Sequence, residues 1–185
     1  MPENLSARDR LLVTAHDLFY RDGIRATGID RIIAAAGVTK VTFYRHFPSK
    51  NDLIKAYLDY RHSLWITGFA EALERHRGQG EYALEAVGAA LREWFSDAGY
   101  RGCAFINTVA ELDATLPEVT EIAREHKAAM TRMIGALLSD SPEREAQVEA
   151  VALAVDGAII RAQMDKSPEN ALRALNLILR ALQAV

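Results

Sequence analysis

Residues 36–53, AGVTKVTFYRHFPSKNDL, decide the fold. A short helix ends at Ala36-Gly37-Val38 and a second begins at Thr39, with Tyr44, His46 and Lys50 following at fixed intervals. The glycine supplies the tight turn that a helix-turn-helix requires, and the small Ala34 and Ala35 before it add little bulk. Polar or cationic residues crowd the start of the second helix. In such a motif that helix enters the DNA major groove by its N-terminal end, which places Thr39, Lys40 and Thr42 to read base edges or phosphates. The same stretch would also suit an ordinary pair of packed helices with a polar outer face, so the motif needs support from its surroundings.

That support begins upstream. Leu11, Ala15, Leu18 and Phe19 form an apolar stripe at helical spacing, with Ser6 and Asp9 as a start signal and Gly23 as a stop. Ile29, Ile32, Ile33 and Ala36 form a second stripe, preceded by Thr27 three residues before Asp30. Ser49 and Asp52 repeat the device after the reading helix. In each pair the hydroxyl can accept from an orphan backbone N–H while the carboxylate reaches back, its charge suiting the helix dipole. Three compact helices are therefore expected over residues 6–47, burying Leu12, Phe19, Ile32, Val38, Phe43 and Phe47 together.

Downstream the periodicity remains helical, with no convincing strand alternation. Residues 50–77 contain no proline, and Leu53, Ile54, Tyr57, Leu58, Leu64, Trp65, Phe69 and Leu73 recur at three- and four-residue steps. A helix of that length would extend roughly 42 Å, enough to belong to a head and to a second domain. Gly78-Gln79-Gly80 ends it. Further helices are expected over residues 81–95 and 103–112, and Pro117, Pro142 and Pro168, each followed by glutamate, mark three later starts. The last two helices should run over residues 142–163 and 168–184.

Composition narrows the class. Among 185 residues, 50% are apolar, enough to bury one substantial core, so a disordered chain is excluded. The single cysteine, Cys103, excludes an intramolecular disulfide. No apolar run approaches the roughly 18 residues of a membrane span, and the N-terminal MPENLSARDR lacks a signal-peptide core, which points to a cytoplasmic, soluble protein. The net charge of −3 argues against bulk nucleic-acid binding, but residues 1–50 hold eight Lys/Arg against five Asp/Glu, so a small basic head sits on an acidic remainder.

With Phe19, Gly23, Thr27, Ile32, Ala36-Gly37-Val38, Thr42-Phe43-Tyr44, His46-Phe47 and Lys50 in order and without insertions, the chain resembles the TetR family of bacterial transcriptional regulators. The likeness is close over residues 8–55 and rests beyond that on helix count. It implies an all-α homodimer of about nine helices: a helix-turn-helix DNA-binding domain over residues 1–48, joined by a long helix to a regulatory, ligand-binding and dimerisation domain over residues 49–185. It further implies repression relieved by a small molecule. Position by position, Thr39, Lys40 and Thr42 match the reading helix, Tyr44, His46 and Lys50 match phosphate contacts, and Thr27 matches the start of the second helix, near the DNA backbone. Two positions depart from the common pattern. Ile33 stands where alanine is usual, and Val41 where many members have glycine; a valine there could touch a thymine methyl. Tyr44 could instead be a core residue and His46 a helix cap.

Trp65, Phe69, Trp94, Phe105, Asn107, His126, Met130, Met133 and Met164 are candidates to line a cavity for a small, mostly apolar effector, with Asn107 and His126 as its polar members. Aromatic stripes at helical spacing equally serve as core. Cys103, beside Arg101 at a helix start, raises the alternative of a thiol- or electrophile-responsive regulator, although free cysteine is commonly buried. In the last two helices Val155, Ala158, Ile159, Leu172, Leu175, Leu179 and Leu182 form apolar faces that suit a symmetric four-helix dimer interface, or else pack internally.

The remaining histidines lack metal-ligand spacing, and C-x-x-C, H-E-x-x-H, P-loop and G-x-S-x-G patterns are missing. The expectation is thus a ligand-released homodimeric repressor on a palindromic double-stranded DNA operator, needing no cofactor, metal or membrane. An activator, and from another class a small helical enzyme, are the alternatives.

Overall fold

Each short helix of the N-terminal region starts and stops where its local chemistry dictates. In the computed structural model, which describes residues 5–183, helix α1 spans Ala7–Asp22. Ser6 opens it: its hydroxyl accepts the Asp9 N–H at 3.2 Å and donates to the Asp9 carboxylate at 2.7 Å. Gly23, at φ 89°, closes it and returns its N–H to the Phe19 carbonyl at 3.0 Å. Helix α2 (Ile29–Ala36) ends at Gly37, which is left-handed at φ 63°, ψ 42°. A side chain would be strained there, which is why the turn requires glycine. Thr39 then caps α3 (Lys40–His46) by accepting the Thr42 N–H at 3.2 Å. Ser49 and Asp52 repeat the Ser6–Asp9 arrangement, at 3.2 and 2.7 Å, where α4 (Lys50–His76) begins.

The pair expected at Thr27 and Asp30 does not form. Gly28 is the cap residue of α2 and makes no side-chain cap bond, while the Thr27 hydroxyl donates backwards to the Gly23 carbonyl at 2.8 Å. Thr27 is fully buried, so it ties the α1–α2 turn shut from inside. Of the six expected core residues, Phe19, Ile32, Phe43 and Phe47 are buried, whereas Leu12 and Val38 are only half-buried. Leu11, one position earlier on the helix, takes the central place instead. From α4, Leu53, Ile54, Tyr57 and Leu58 are also buried.

The remaining helices are α5 (Glu85–Phe95), α6 (Ala104–Leu112), α7 (Glu118–Gly135), α8 (Arg144–Asp165) and α9 (Glu169–Gln183), making nine among the described residues, with no strand. Helix α5 starts four residues later than expected because the Glu85 carboxylate accepts the N–H groups of Glu81 and Tyr82 and so holds that stretch as a turn. At α8, Ser141 provides no side-chain cap; its carbonyl accepts the Arg144 N–H at 3.2 Å and the helix proper follows Glu143. The expected end of α9 at residue 184 lies outside the described residues. No described helix is long and apolar enough to cross a membrane.

Grouped by contact, the described chain forms two compact units. The first takes the residues up to Ser63 together with Ala104–Ala123, so it holds α1–α3, the first half of α4, α6 and the start of α7. It is larger than the 1–48 head expected from sequence, because α6 packs with the N-terminal helices. The second unit takes Leu64–Cys103 and the residues from Arg124 onward, with α9 packed against both α5 and α8.

Candidate nucleic-acid interface

A seven-residue helix has little surface, so the division between its faces is informative. Phe43, and Phe47 just beyond, turn inward and are buried. At 100° per residue Val41 and Arg45 lie opposite Phe43 and are exposed, with exposed Tyr44 and half-buried Thr42 about 100° to either side; Lys40, one turn before Phe43, is exposed at the helix start, and His46, one turn after it, is half-buried. Val41, 71% exposed, is the barest large apolar side chain of the described N-terminal helices. Arg45 was not singled out by sequence reasoning. The signal was present: it stands one turn beyond Val41 and next to Tyr44, on the same exposed face.

The expected contact residues differ in how free they are. Lys40 is exposed, with its ammonium 3.7 Å from Asp30 at the start of α2. The hydroxyls of Thr39 and Thr42 bond to each other at 2.9 Å, so their first duty is to the helix start. The Tyr44 ring rests edge-on against Phe43, 5.1 Å between centroids, with the residue still 43% exposed. His46 is the last residue of α3. Lys50 is turned inward: its Nζ donates to the Ile24 carbonyl at 2.7 Å and lies 5.8 Å from the centre of the Phe19 ring. Partial burial lowers its pKa, and the nearby Glu111 carboxylate opposes that shift. The enclosed Thr27 hydroxyl offers nothing to a ligand.

Several cations of the head are structural. Arg10 donates to the Ala36 carbonyl at 3.2 Å and the Leu5 carbonyl at 3.1 Å, tying α1 to the end of α2. Arg31 pairs with Asp22 at 2.7 Å, and Arg21 holds the same carboxylate. The modest basic excess of residues 1–50 is therefore partly consumed within the fold, and Lys40 and Arg45 carry exposed charge on the reading helix itself.

Residues 11–57 match the profile of bacterial regulatory proteins of the tetR family. The chain is 31% identical over 159 residues to the HTH-type transcriptional activator FasR of Mycolicibacterium smegmatis, covering 82% of this chain and 70% of that protein. The chain belongs to the TetR family. A TetR-family transcriptional regulator from Streptomyces coelicolor superposes with a TM-score of 0.77 at 32% identity, covering 95% of this chain and 89% of the other. The reduced form of NemR from Escherichia coli shares the fold, with a TM-score of 0.77 at 20% identity over 94% and 97% of the two chains. The HTH-type repressor KstR2 of Mycobacterium tuberculosis is 33% identical over 89 residues, 44% of either chain. As a TetR-family member the protein is a DNA-binding transcriptional regulator built on a helix-turn-helix.

Of the residues expected to line an effector site, the second unit brings four together. Trp65 and Phe69 of α4 stack at 4.6 Å, Trp94 of α5 meets Trp65 edge-on at 5.4 Å, and His126 of α7 meets it at 5.1 Å. Tyr100 and Phe95 extend the cluster from Trp94 at 5.2 and 5.7 Å. His126 and Met130 are buried and Met133 is half-buried. Phe105 and Asn107 lie on α6 and belong to the first unit, where Phe105 stands edge-on to His62 at 6.5 Å. Met164 is not a lining residue of any interior: it is 70% exposed on α8. Cys103 is buried.

The residues assigned from sequence to a dimer interface are mostly buried within the single chain, although Ala158 and Leu175 also line an outer groove. Val155, Ile159, Leu172, Leu175 and Leu179 are buried within the protomer, as is Ala158 for the most part, and Leu182 is half-buried. They form the seam between α8 and α9 and the contact of α9 with α5. Both helices are apolar on two faces, and the more exposed residues of the outer face are Leu153, Gly157, Ile160 and Met164 on α8, and Ala174, Leu177, Ile178 and Ala181 on α9. An apolar groove of about 410 Å³ runs along it, floored by Ala154, Gly157 and Ala158 and by Ala171, Ala174 and Leu175.

Among the described residues no group of three or more His, Cys, Asp or Glu side chains could hold a metal ion.

Proposed function

We propose that this protein is a homodimeric repressor, released by a small molecule, that binds a palindromic operator. The exposed apolar face of α8 and α9 supports this reading most. Leu153 and Leu177 are 76% and 72% exposed on the same two helices as a groove lined by Ala154, Gly157, Ala158, Ala171, Ala174 and Ile178, a surface that a second copy of the chain would cover. A patch of that kind on a soluble chain marks an interface, and two-fold symmetry makes the face its own partner. Such a dimer presents two copies of α3 to successive turns of the duplex and selects an inverted repeat. It acts in the cytoplasm, on DNA whose transcription it blocks by occupancy, and uses neither cofactor nor catalysis.

The Trp65–Phe69–Trp94–His126 cluster, made by α4, α5 and α7, is the reading's effector site. Flat rings with one buried imidazole suit a mostly apolar molecule carrying a single polar group. The effector favours a dimer whose heads are spaced wrongly for DNA, a shift of populations between two arrangements. Trp65 and Trp94 are the two tryptophans of the chain, so intrinsic fluorescence reports directly on this cluster.

Selection of bound sequences from random DNA should return an inverted repeat, and a compound that quenches tryptophan fluorescence should release that DNA. By linkage it must bind the DNA-free dimer more tightly than the complex, by the same factor. A single unrepeated half-site would sink the dimeric reading, and equal affinity for both forms would sink the release scheme. An activator is the second reading, favoured by the 31% identical FasR, an HTH-type transcriptional activator. Reporter output on deletion of the gene separates the two, rising for a repressor and falling for an activator. Control through the Cys103 thiol is disfavoured by its burial.

A further inference from the structure

We infer that Glu111, on α6 and outside the helix-turn-helix, is a positioning residue for DNA binding: it holds the α1–α2 turn that seats the Lys50 ammonium for a phosphate. Six residues, Gly23 to Gly28, link α1 to α2. The N–H of the third, Arg25, donates to Glu111 Oε2 at 2.9 Å. The first, Gly23, comes so close that an added Cβ would stand 3.3 Å from Glu111 Oε1. The carbonyl of the second, Ile24, accepts the Lys50 ammonium at 2.7 Å. A second tie, Lys55 to Glu118 at 3.0 Å, joins α4 to the first residue of α7. All of these residues belong to the first compact unit.

An ammonium has three donors, and the Ile24 carbonyl takes one. The other two remain, on a side chain already ordered by that bond and by the Phe19 ring. A lysine fixed in advance loses less freedom on gripping a phosphate than one swinging in solvent. Glu111 acts on this grip at one remove, through the turn whose carbonyl does the fixing. Sequence position hides the link, because 86 residues separate Arg25 from Glu111.

The inference rests on the phosphate role of Lys50, and the test keeps the two apart. Glu111→Ala, Glu111→Met and Glu111→Gln all remove the same charge, but only glutamine keeps an oxygen for the Arg25 N–H. Fluorescence anisotropy on the selected operator and on random DNA should show the alanine and methionine variants binding both DNAs about fivefold more weakly than the glutamine variant, the scale of one hydrogen bond. Amide exchange at Arg25 should be faster in them. Methionine preserves bulk, so it carries the comparison should the alanine variant lose its fold. In a Lys50→Ala background the gap should close, which a general loosening of the fold would not do. Equal binding by the glutamine and methionine variants overturns the inference while Lys50→Ala still weakens DNA, as does a fivefold gap that persists without Lys50. If Lys50→Ala leaves both affinities unchanged, the phosphate role of Lys50 falls and the inference falls with it.

Discussion

The N-terminal helices are closed by polar devices at almost every end, whereas α8 and α9 meet through apolar surface on two sides. Ser6, Thr39 and Ser49 each cap a helix, Gly37 turns the chain in the left-handed region, and Arg10 pins α1 to the end of α2. Each device acts over a few residues and has one geometry. In α8 no side chain caps the start, and Val151, Val155 and Ile159 point inward while Leu153, Gly157 and Met164 point out. Local polar chemistry therefore fixes which way a short helix faces. A helix with two apolar faces is oriented by what packs against each of them.

The sharpest test of that contrast replaces neighbouring leucines on α9. Leu175 and Leu179 are buried in the protomer, so glutamate at both should bury unpaired charge and cost at least about 4 kcal/mol, most of a small domain's stability. The expected outcome is loss of the helical circular dichroism signal. Glutamate at Leu177 and Ile178, on the outer face, should change protomer stability by about 0.5 kcal/mol or less yet give a monomer by light scattering. A folded, monomeric Leu175/Leu179 variant would mean the inner and outer faces have been interchanged.

Legibility in the sequence follows the same division. The helix-turn-helix, its capping pairs at Ser6 and Ser49 and the nine-helix layout were readable because spacing alone encodes them. Thr27 misled because a threonine three residues before an aspartate looks the same whether its hydroxyl points forward to a helix or back to Gly23. Lys50 and Glu111 were invisible as neighbours, being brought together only by the packing of α6. For Leu175, periodicity identifies an apolar stripe without saying that the chain's own helices bury most of it. Met164 failed likewise: a long apolar side chain among apolar neighbours gave no sign that it faced outward.

The next effects are those of the reading face. Lys40→Ala, Val41→Ala and Arg45→Ala should each weaken the cognate site by roughly 1–3 kcal/mol and random DNA much less, if these residues touch bases. Arg45→Lys distinguishes the mode: a bidentate contact to guanine is not restored by lysine, whereas a phosphate contact largely is. Thr42→Ala should show a smaller loss of discrimination than Lys40→Ala, since Thr42 stands on the flank with its hydroxyl on Thr39. A Thr42 effect larger than that of Arg45 would require α3 to be rotated relative to the groove.

Smaller still are the local devices of the head. Gly37→Ala should lower stability by about 1–2 kcal/mol from left-handed strain alone, because an added Cβ there meets nothing within 4 Å. Ser49→Ala should cost about 1 kcal/mol as a lost cap. Both are read from denaturant midpoints at unchanged slope. If Gly37→Ala were neutral, the turn would have to relax out of the left-handed region, and the α2–α3 angle with it.

The smallest expected effect distinguishes the two regions by pH. His16 on α1 sits among the rings of Tyr20, Tyr57 and Tyr60, at 6.3, 5.9 and 5.3 Å, with Asp17 Oδ1 2.9 Å from Nδ1 and an Arg61 nitrogen 3.5 Å from Nε2. Burial lowers its pKa below the ordinary 6.5; the bond to Asp17 opposes the shift, and the charge of Arg61 reinforces it. In the pH window between the folded value and 6.5 the unfolded chain therefore binds more protons than the folded one. Stability from this group is complete above 6.5 and is lost as the pH falls through the folded value. The melting temperature of the head should accordingly drop on going from about pH 7.5 to about pH 5.5, and His16→Gln, which has no proton to gain, should flatten that slope. Helices α8 and α9 contain no histidine, so dimer dissociation should not change over the same range. An unchanged slope in the glutamine variant would move the acid-sensitive element away from the α1–α4 packing, and a pH-dependent dimer would place titrating carboxylates in the apolar interface.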